Sequence, residues 1–253
     1  MTDAQPVRVE IAVENLAGVR IADAAGATRV ELGTGLSGGG LTPSPALIEA
    51  AVGAVSNTEV HVLIRPRTGD FRYSPEEVAL IRSDIEWSRR LGAHGVVFGV
   101  LDAEGNVDRA ANTELLAAAE GMQATFHRAF DICTDPYSGF DTLLDLGFTR
   151  LLTSGRQLSV LDGAPLIARL VNLAAGRIDV MACGGLRADN ARRVLELTGV
   201  RDLHAAVRLP VPGLPPQPEN EVSFAESSVP SGFDHFATDP TGVAALLEAA
   251  AAS

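Results

Sequence analysis

Short runs of apolar residues alternate along the chain with amphipathic or alanine-rich stretches of helical period. This rhythm predicts parallel βαβ units. Strands are expected at 7–13, 29–32, 59–65, 95–101, 124–130, 150–154, 178–183 and 202–207, with helices near 16–25, 43–55, 75–91, 108–119, 136–146, 161–175, 188–197 and 240–251. Several helix starts are written as an oxygen-bearing cap before a first-turn proline: Thr42-Pro43, Ser74-Pro75, Asp135-Pro136 and Asp239-Pro240. Ser74 with Glu77 completes a capping box, and Gly26, Gly92, Gly147 and Gly199 stand where helices give way to strands. Eight such units without a break in composition indicate one (β/α)8 TIM barrel over residues 1–253, with a doubly wound open sheet as the alternative. Residues 209–238, containing Pro210, Pro212, Pro215, Pro216, Pro218 and Pro230, interrupt the rhythm. They can be neither regular helix nor central strand, and between the eighth strand and the last helix they would lie at the barrel mouth, as a lid or as an uninvolved loop.

Alternation along each strand sets which side chains enter the barrel. It sends Glu10, Glu31, Arg65, His127, Ser154, Cys183 and His204 inward, with Gly99 leaving space on the fourth strand. Barrel interiors are ordinarily filled by branched aliphatics, so polar groups converging from separate strands predict a functional pocket. The run Ala124–Asp131, carrying His127, Arg128 and Asp131 on an otherwise buried strand, is its centre. Arg65 and Arg67 follow the third strand and suit a carboxylate or phosphate, which guanidinium matches bidentately; Arg128 and Ser154 are further anion-binding candidates. Cys183-Gly184-Gly185-Leu186-Arg187 precedes a helix in the manner of a barrel phosphate cradle, though Ala205-Ala206 lacks the usual partner glycine.

Composition narrows the chemistry. All 20 basic side chains are arginine, so Schiff-base catalysis and a P-loop are excluded. A net charge of −12 disfavours nucleic acid or an anionic membrane as partner. Two cysteines make no disulfide framework, and neither a secretory leader nor an apolar run of membrane-spanning length is evident, so a cytoplasmic protein is expected.

The runs Arg29-Val30-Glu31-Leu32, Gly39-Gly40-Leu41-Thr42-Pro43-Ser44, Ile64 to Phe71, Thr125-Phe126-His127-Arg128-Ala129-Phe130-Asp131 and Leu152-Thr153-Ser154-Gly155 resemble the CutC family over about residues 8–208. The resemblance implies a cytoplasmic, homo-oligomeric TIM barrel concerned with copper binding or copper homeostasis. It also implies cysteine ligands after the first two strand glutamates, where this chain has Ala12 and Gly33. Copper(I) favours soft ligands, leaving Cys133 and Cys183, with His127 or His204, as a different copper site. The alternative is an enzyme of isomerase or lyase type acting on a small anionic metabolite. There Arg65 and Arg67 would hold the anion, His127 would shuttle a proton near neutral pH and Glu31 would orient it. Glu10, Glu31, His127 and His204 would also suit a harder metal such as zinc or manganese.

Overall fold

The computed structural model describes residues 6–214, 228–230 and 233–252. Eight parallel strands close into a barrel in sequence order: β1 (Arg8–Val13), β2 (Arg29–Leu32), β3 (Glu59–Leu63), β4 (Gly95–Phe98), β5 (Gln123–Phe126), β6 (Arg150–Thr153), β7 (Asp179–Ala182) and β8 (Asp202–Ala205). Between and after them run α1 (Leu16–Ala25), α2 (Pro45–Val52), α3 (Pro75–Arg90), α4 (Arg109–Ala118), α5 (Pro136–Leu146), α6 (Val160–Ala174), α7 (Ala188–Thr198) and α8 (Pro240–Ala251). The fold is the (β/α)8 barrel.

The caps work as the sequence suggests at Ser74, Asp135 and Asp239. At α2 the cap is Ser44 and not Thr42, because the Thr42 hydroxyl is used elsewhere: its Oγ1 accepts the Arg65 N–H at 2.9 Å and ties the second loop to the third. The fifth strand also stops early. After Phe126 the chain turns at His127 into a 3-10 helix, Arg128–Ile132, so Asp131 swings beneath the neighbouring strand end. Its carboxylate accepts from the Thr153 hydroxyl at 2.5 Å and from the Ser154 and Arg156 N–H groups at 3.2 Å.

Two interiors coexist. Between sheet and helices lies one continuous apolar core, with Val30, Val62, Phe98, Phe126 and Leu203 facing α-helical residues such as Ile85, Leu143, Ile167 and Leu246. Inside the barrel the fill is largely ionic. Apart from the small cluster Leu152, Met181 and Cys183, the lower layers hold Arg29, Arg150, Glu10, His61 and Asp202, each at most 2% exposed. Arg29 donates from Nε to Glu10 at 3.2 Å, and from Nη2 to Met181 Sδ at 3.5 Å and to Asp202. Arg8 pairs with Asp179 at 2.9 Å and with Asp202, and Arg150 lies 3.6 Å from the same Asp202. Charges out of water are tolerated because each has an opposite neighbour in reach.

Beyond β8, β9 (Arg208–Pro212) pairs antiparallel with β10 (Phe233–Thr238) as a separate two-stranded ribbon. Pro210 and Pro212 fit such an edge, where missing N–H donors do no harm. The middle of the proline-rich segment lies outside the described residues, and with it the expectation of a lid.

Candidate functional site

The strand ends at the carboxyl face surround a cavity of about 400 Å³. Glu31 from β2, Arg65 after β3, His127 after β5, Cys183 after β7 and His204 from β8 line it, joined by Arg128, Gly184 and Gly185. The ribbon closes one side with Arg208 and Phe236, whose ring lies 4.7 Å from the Arg208 guanidinium carbon.

At the floor, His204 connects two carboxylates. Its Nδ1 is 2.7 Å from Glu10 Oε1, and its Nε2 is 3.9 Å from Glu31 Oε2. Glu10 is fully buried beneath the cavity and does not line it. Burial opposes its charge, but His204 and Arg29 outweigh burial and hold it ionised, well below the usual carboxylate range. Glu31 has His204 beside it but no arginine. Burial, with a smaller push from Glu10, outweighs the opposing His204 and takes its pKa up to about 7. Burial acts against a charged His204, yet Glu31 and Glu10 together raise it. Glu31 and His204 therefore titrate as one unit. Glu10, Glu31 and His204 each offer a ligand atom within 4.8 Å of the others.

His127 differs from expectation. It is not part of that cluster and is no proton shuttle at neutral pH: burial, aided by Arg65, lowers its pKa to about 3. Its Nδ1 accepts the Ala129 N–H at 3.3 Å, and its ring packs 4.6 Å from that of Phe71. Arg65 is held by carbonyls, donating to Gly38, Gly40 and Gly69 at 3.2, 3.1 and 2.8 Å. The glycine turn thus positions a guanidinium; its N–H groups do not face an anion.

Three expectations are corrected. Arg67 lies outside the cavity, because with β3 ending at Leu63 strand alternation no longer governs it; it pairs with Glu77 at 2.6 Å and covers Tyr73. Ser154 turns away from the cavity, its Oγ 2.6 Å from the Gln157 carbonyl and 3.0 Å from Asp131, accepting from Arg128 at 2.9 Å. The cysteines form no metal pair. Cys133 packs in the outer core beside α5, 3.6 Å from the Asp135 carbonyl, and burial lifts its thiol to about 11. Cys183 sits in the inner cluster with its thiol pushed higher still by burial, and among the described residues no group of three or more candidate ligands includes a cysteine.

After Cys183, Gly184 and Gly185 take φ of 103° and 72°, which L side chains rarely adopt. The turn leads into α7, whose cap is built by Asn190, accepting the Arg187 N–H at 2.9 Å and donating to the Gly185 carbonyl at 2.9 Å. The N–H groups of Gly184, Gly185 and Leu186 have no acceptor among the described residues.

The sequence reading missed the layer below. Arg29, His61, Arg150 and Asp202 follow the same alternation as Glu31 and His204, one step toward the amino end of each strand. Carrying the alternation down by two residues would have found them.

The comparisons agree with this architecture. The CutC family model matches residues 7–209. A CutC family protein of Pasteurella multocida is 44% identical over 198 residues, covering 78% of this chain and 81% of its own length. The human copper homeostasis protein cutC homolog is 42% identical over 200 residues, covering 79% and 73% respectively. The crystal structure of a CutC protein from Streptococcus agalactiae superposes with a TM-score of 0.75 at 34% identity, covering 78% of this chain and 97% of that one. The sequence matches and the closed barrel with its buried strand glutamates lead to one assignment: this chain belongs to the CutC family.

Proposed function

We propose that this chain takes part in copper homeostasis, the role named for its human relative, and that it meets the metal through Glu31 and His204. The observation that carries this reading is the convergence of Glu10, Glu31 and His204 within 4.8 Å. Imidazole with carboxylate suits divalent copper or zinc, and copper(II) binds such sites most strongly among first-row divalent ions. Copper(I) does not fit, since the thiols stand apart and are held protonated by burial. Glu31 and the Nε2 of His204 would be the ligands, and Glu10, bonded to the other ring nitrogen, would orient the imidazole. A bound divalent ion would supply local positive charge; the chain's own part is to orient His204 and to give up the proton that Glu31 carries near neutral pH. Titration with copper(II) against a competing chelator tests this: stoichiometric binding lost in Glu31→Gln and His204→Ala supports it, and no measurable binding discards it.

A second reading rests on a different observation. A carboxyl group at about 7 beside a raised imidazole is an acid–base pair poised at neutral pH. With Arg65, Arg128 and Arg187 around the cavity, that pair suits proton transfer on a small anion, without an imine because the chain has no lysine. Screening keto acids and phosphorylated sugars for thermal stabilisation and turnover separates it from the metal reading.

A further inference from the structure

We propose that the Nε2–H of His127 and the guanidinium of Arg65 form a subsite for a carbonyl or carboxylate oxygen of a small organic anion bound in the cavity. The inference rests on the second reading for the class of ligand and is independent of any metal.

His127 is only 4% exposed, yet it lines the cavity. Because its Nδ1 accepts the Ala129 N–H, the neutral ring carries its proton on Nε2, and that nitrogen has no partner among the described residues. A buried donor left without an acceptor is costly, and in a cavity wall a ligand oxygen is one group that can supply it. Arg65 repeats the pattern. It is 5% exposed, three glycine carbonyls occupy its terminal nitrogens, and its Nε is also unpartnered.

The two donors are braced as a unit by Phe71, whose ring lies 4.6 Å from the His127 ring and 5.0 Å from the Arg65 guanidinium carbon. Gly99 makes the space: a Cβ there would stand 2.9 Å from His127 Nδ1 and from the Phe126 ring. In a ring of eight strands β7 stands opposite β3. The Gly184–Gly185 turn, with its open N–H groups, therefore stands across the cavity from Arg65. Both walls donate, and only Glu31 and His204 between them exchange protons. The complementary ligand is rich in acceptors and poor in donors: a carboxylate or phosphate ester that also bears a carbonyl oxygen. An imidazole donor kept neutral by burial polarises such a carbonyl, where an imidazolium would surrender its proton.

The test uses the full chain with a chelator present, and pyruvate and inorganic phosphate as separate probes. In the imidazole nitrogen–proton NMR spectrum, the His127 ring is expected to remain a neutral tautomer between about pH 5 and 8, and pyruvate is expected to move its Nε2–H resonance saturably. Replacing His127 with Phe, which keeps the ring but removes the donor, is expected to weaken pyruvate binding by about tenfold. His127→Gln, which restores a donor near the Nε2 position, recovers most of it. A resonance unmoved by pyruvate, a ring that titrates near ~6.5, or equal affinity in His127→Phe overturns the subsite; so does binding of phosphate alone. The wild-type spectrum decides the matter even if a variant fails to fold. Because turnover is not read, a cavity that binds pyruvate at His127 but catalyses nothing retains this inference and removes the acid–base reading.

Discussion

Glu10 and His204 are joined at 2.7 Å between two adjacent strands, β1 and β8, at the seam where the barrel closes. The bond places the imidazole of the cavity floor between a carboxylate held charged and another, Glu31, held at about 7. The floor thus has its proton inventory set by the layer beneath it.

That arrangement gives a pH dependence of defined sign. A carboxyl in the unfolded chain titrates near ~4.3 and an imidazole near ~6.5. Between about 4.5 and 7 the folded chain keeps a proton on Glu31 that the unfolded chain has released, so stability falls as pH rises through that window. His204, also raised, contributes stability fully present below ~6.5 and lost as pH rises through its folded value. Glu10 and Glu59, both lowered, act in the opposite sense only in more acid solution. Glu31→Gln is expected to gain on the parent by about 1–3 kcal/mol on going from pH 5 to 8. Urea unfolding across that range checks it, and parallel stability curves would refute it.

The ionic layer beneath makes a stronger mechanical demand. Arg29 is 1% exposed and answers both Glu10 and Asp202. Removing it in Arg29→Ala takes a buried cation from two carboxylates at once, leaving Glu10 only His204 and Asp202 only Arg8 and Arg150, and should destabilise the fold by about 3–5 kcal/mol. Denaturant unfolding reads this directly, and a loss under ~1 kcal/mol, the scale of an exposed pair, would show that the layer is wet.

Metal binding and the thiols should separate cleanly. A Cys133→Ser/Cys183→Ser double variant is expected to keep the copper(II) affinity of the parent, because neither sulfur belongs to the Glu10, Glu31 and His204 group. Loss of binding in a variant with unchanged circular dichroism would return the cysteines to the site.

Gly99→Ala offers a test of packing at the cavity wall. Its Cβ would meet the His127 and Phe126 rings at 2.9 Å, and neither has room to retreat from Phe71 and Phe148. A destabilisation of about 1–3 kcal/mol is expected from such overpacking. Thermal melts give the number; an unchanged melting temperature would mean that the wall yields.

Much of this was legible in sequence because strand alternation is a rigid rule while the strand lasts. Glu31 and His204 enter the barrel as their positions dictate, and the hydrophobic faces opposite them build the outer core. The rule ran out where strands ended. Arg67 and Ser154 lie past their strands, and Arg128 with Asp131 lies in a 3-10 turn, so side-chain partners decided their directions. The neutral state of His127 was illegible for another reason: it depends on burial and on Arg65, a contact between residues far apart in the chain. Thr42 reads as the natural cap in the sequence, but the Arg65 N–H claims its hydroxyl and Ser44 caps the helix instead.

The ribbon of β9 and β10 has a consequence of its own. The family match ends at residue 209, whereas Phe236, which borders the cavity, comes from the returning strand. The receptacle therefore has two sources: a chemical base from strands inside the family match, and a side panel from a strand beyond it. Replacing Phe236 would change the room beside the floor while leaving Glu31 and His204 untouched.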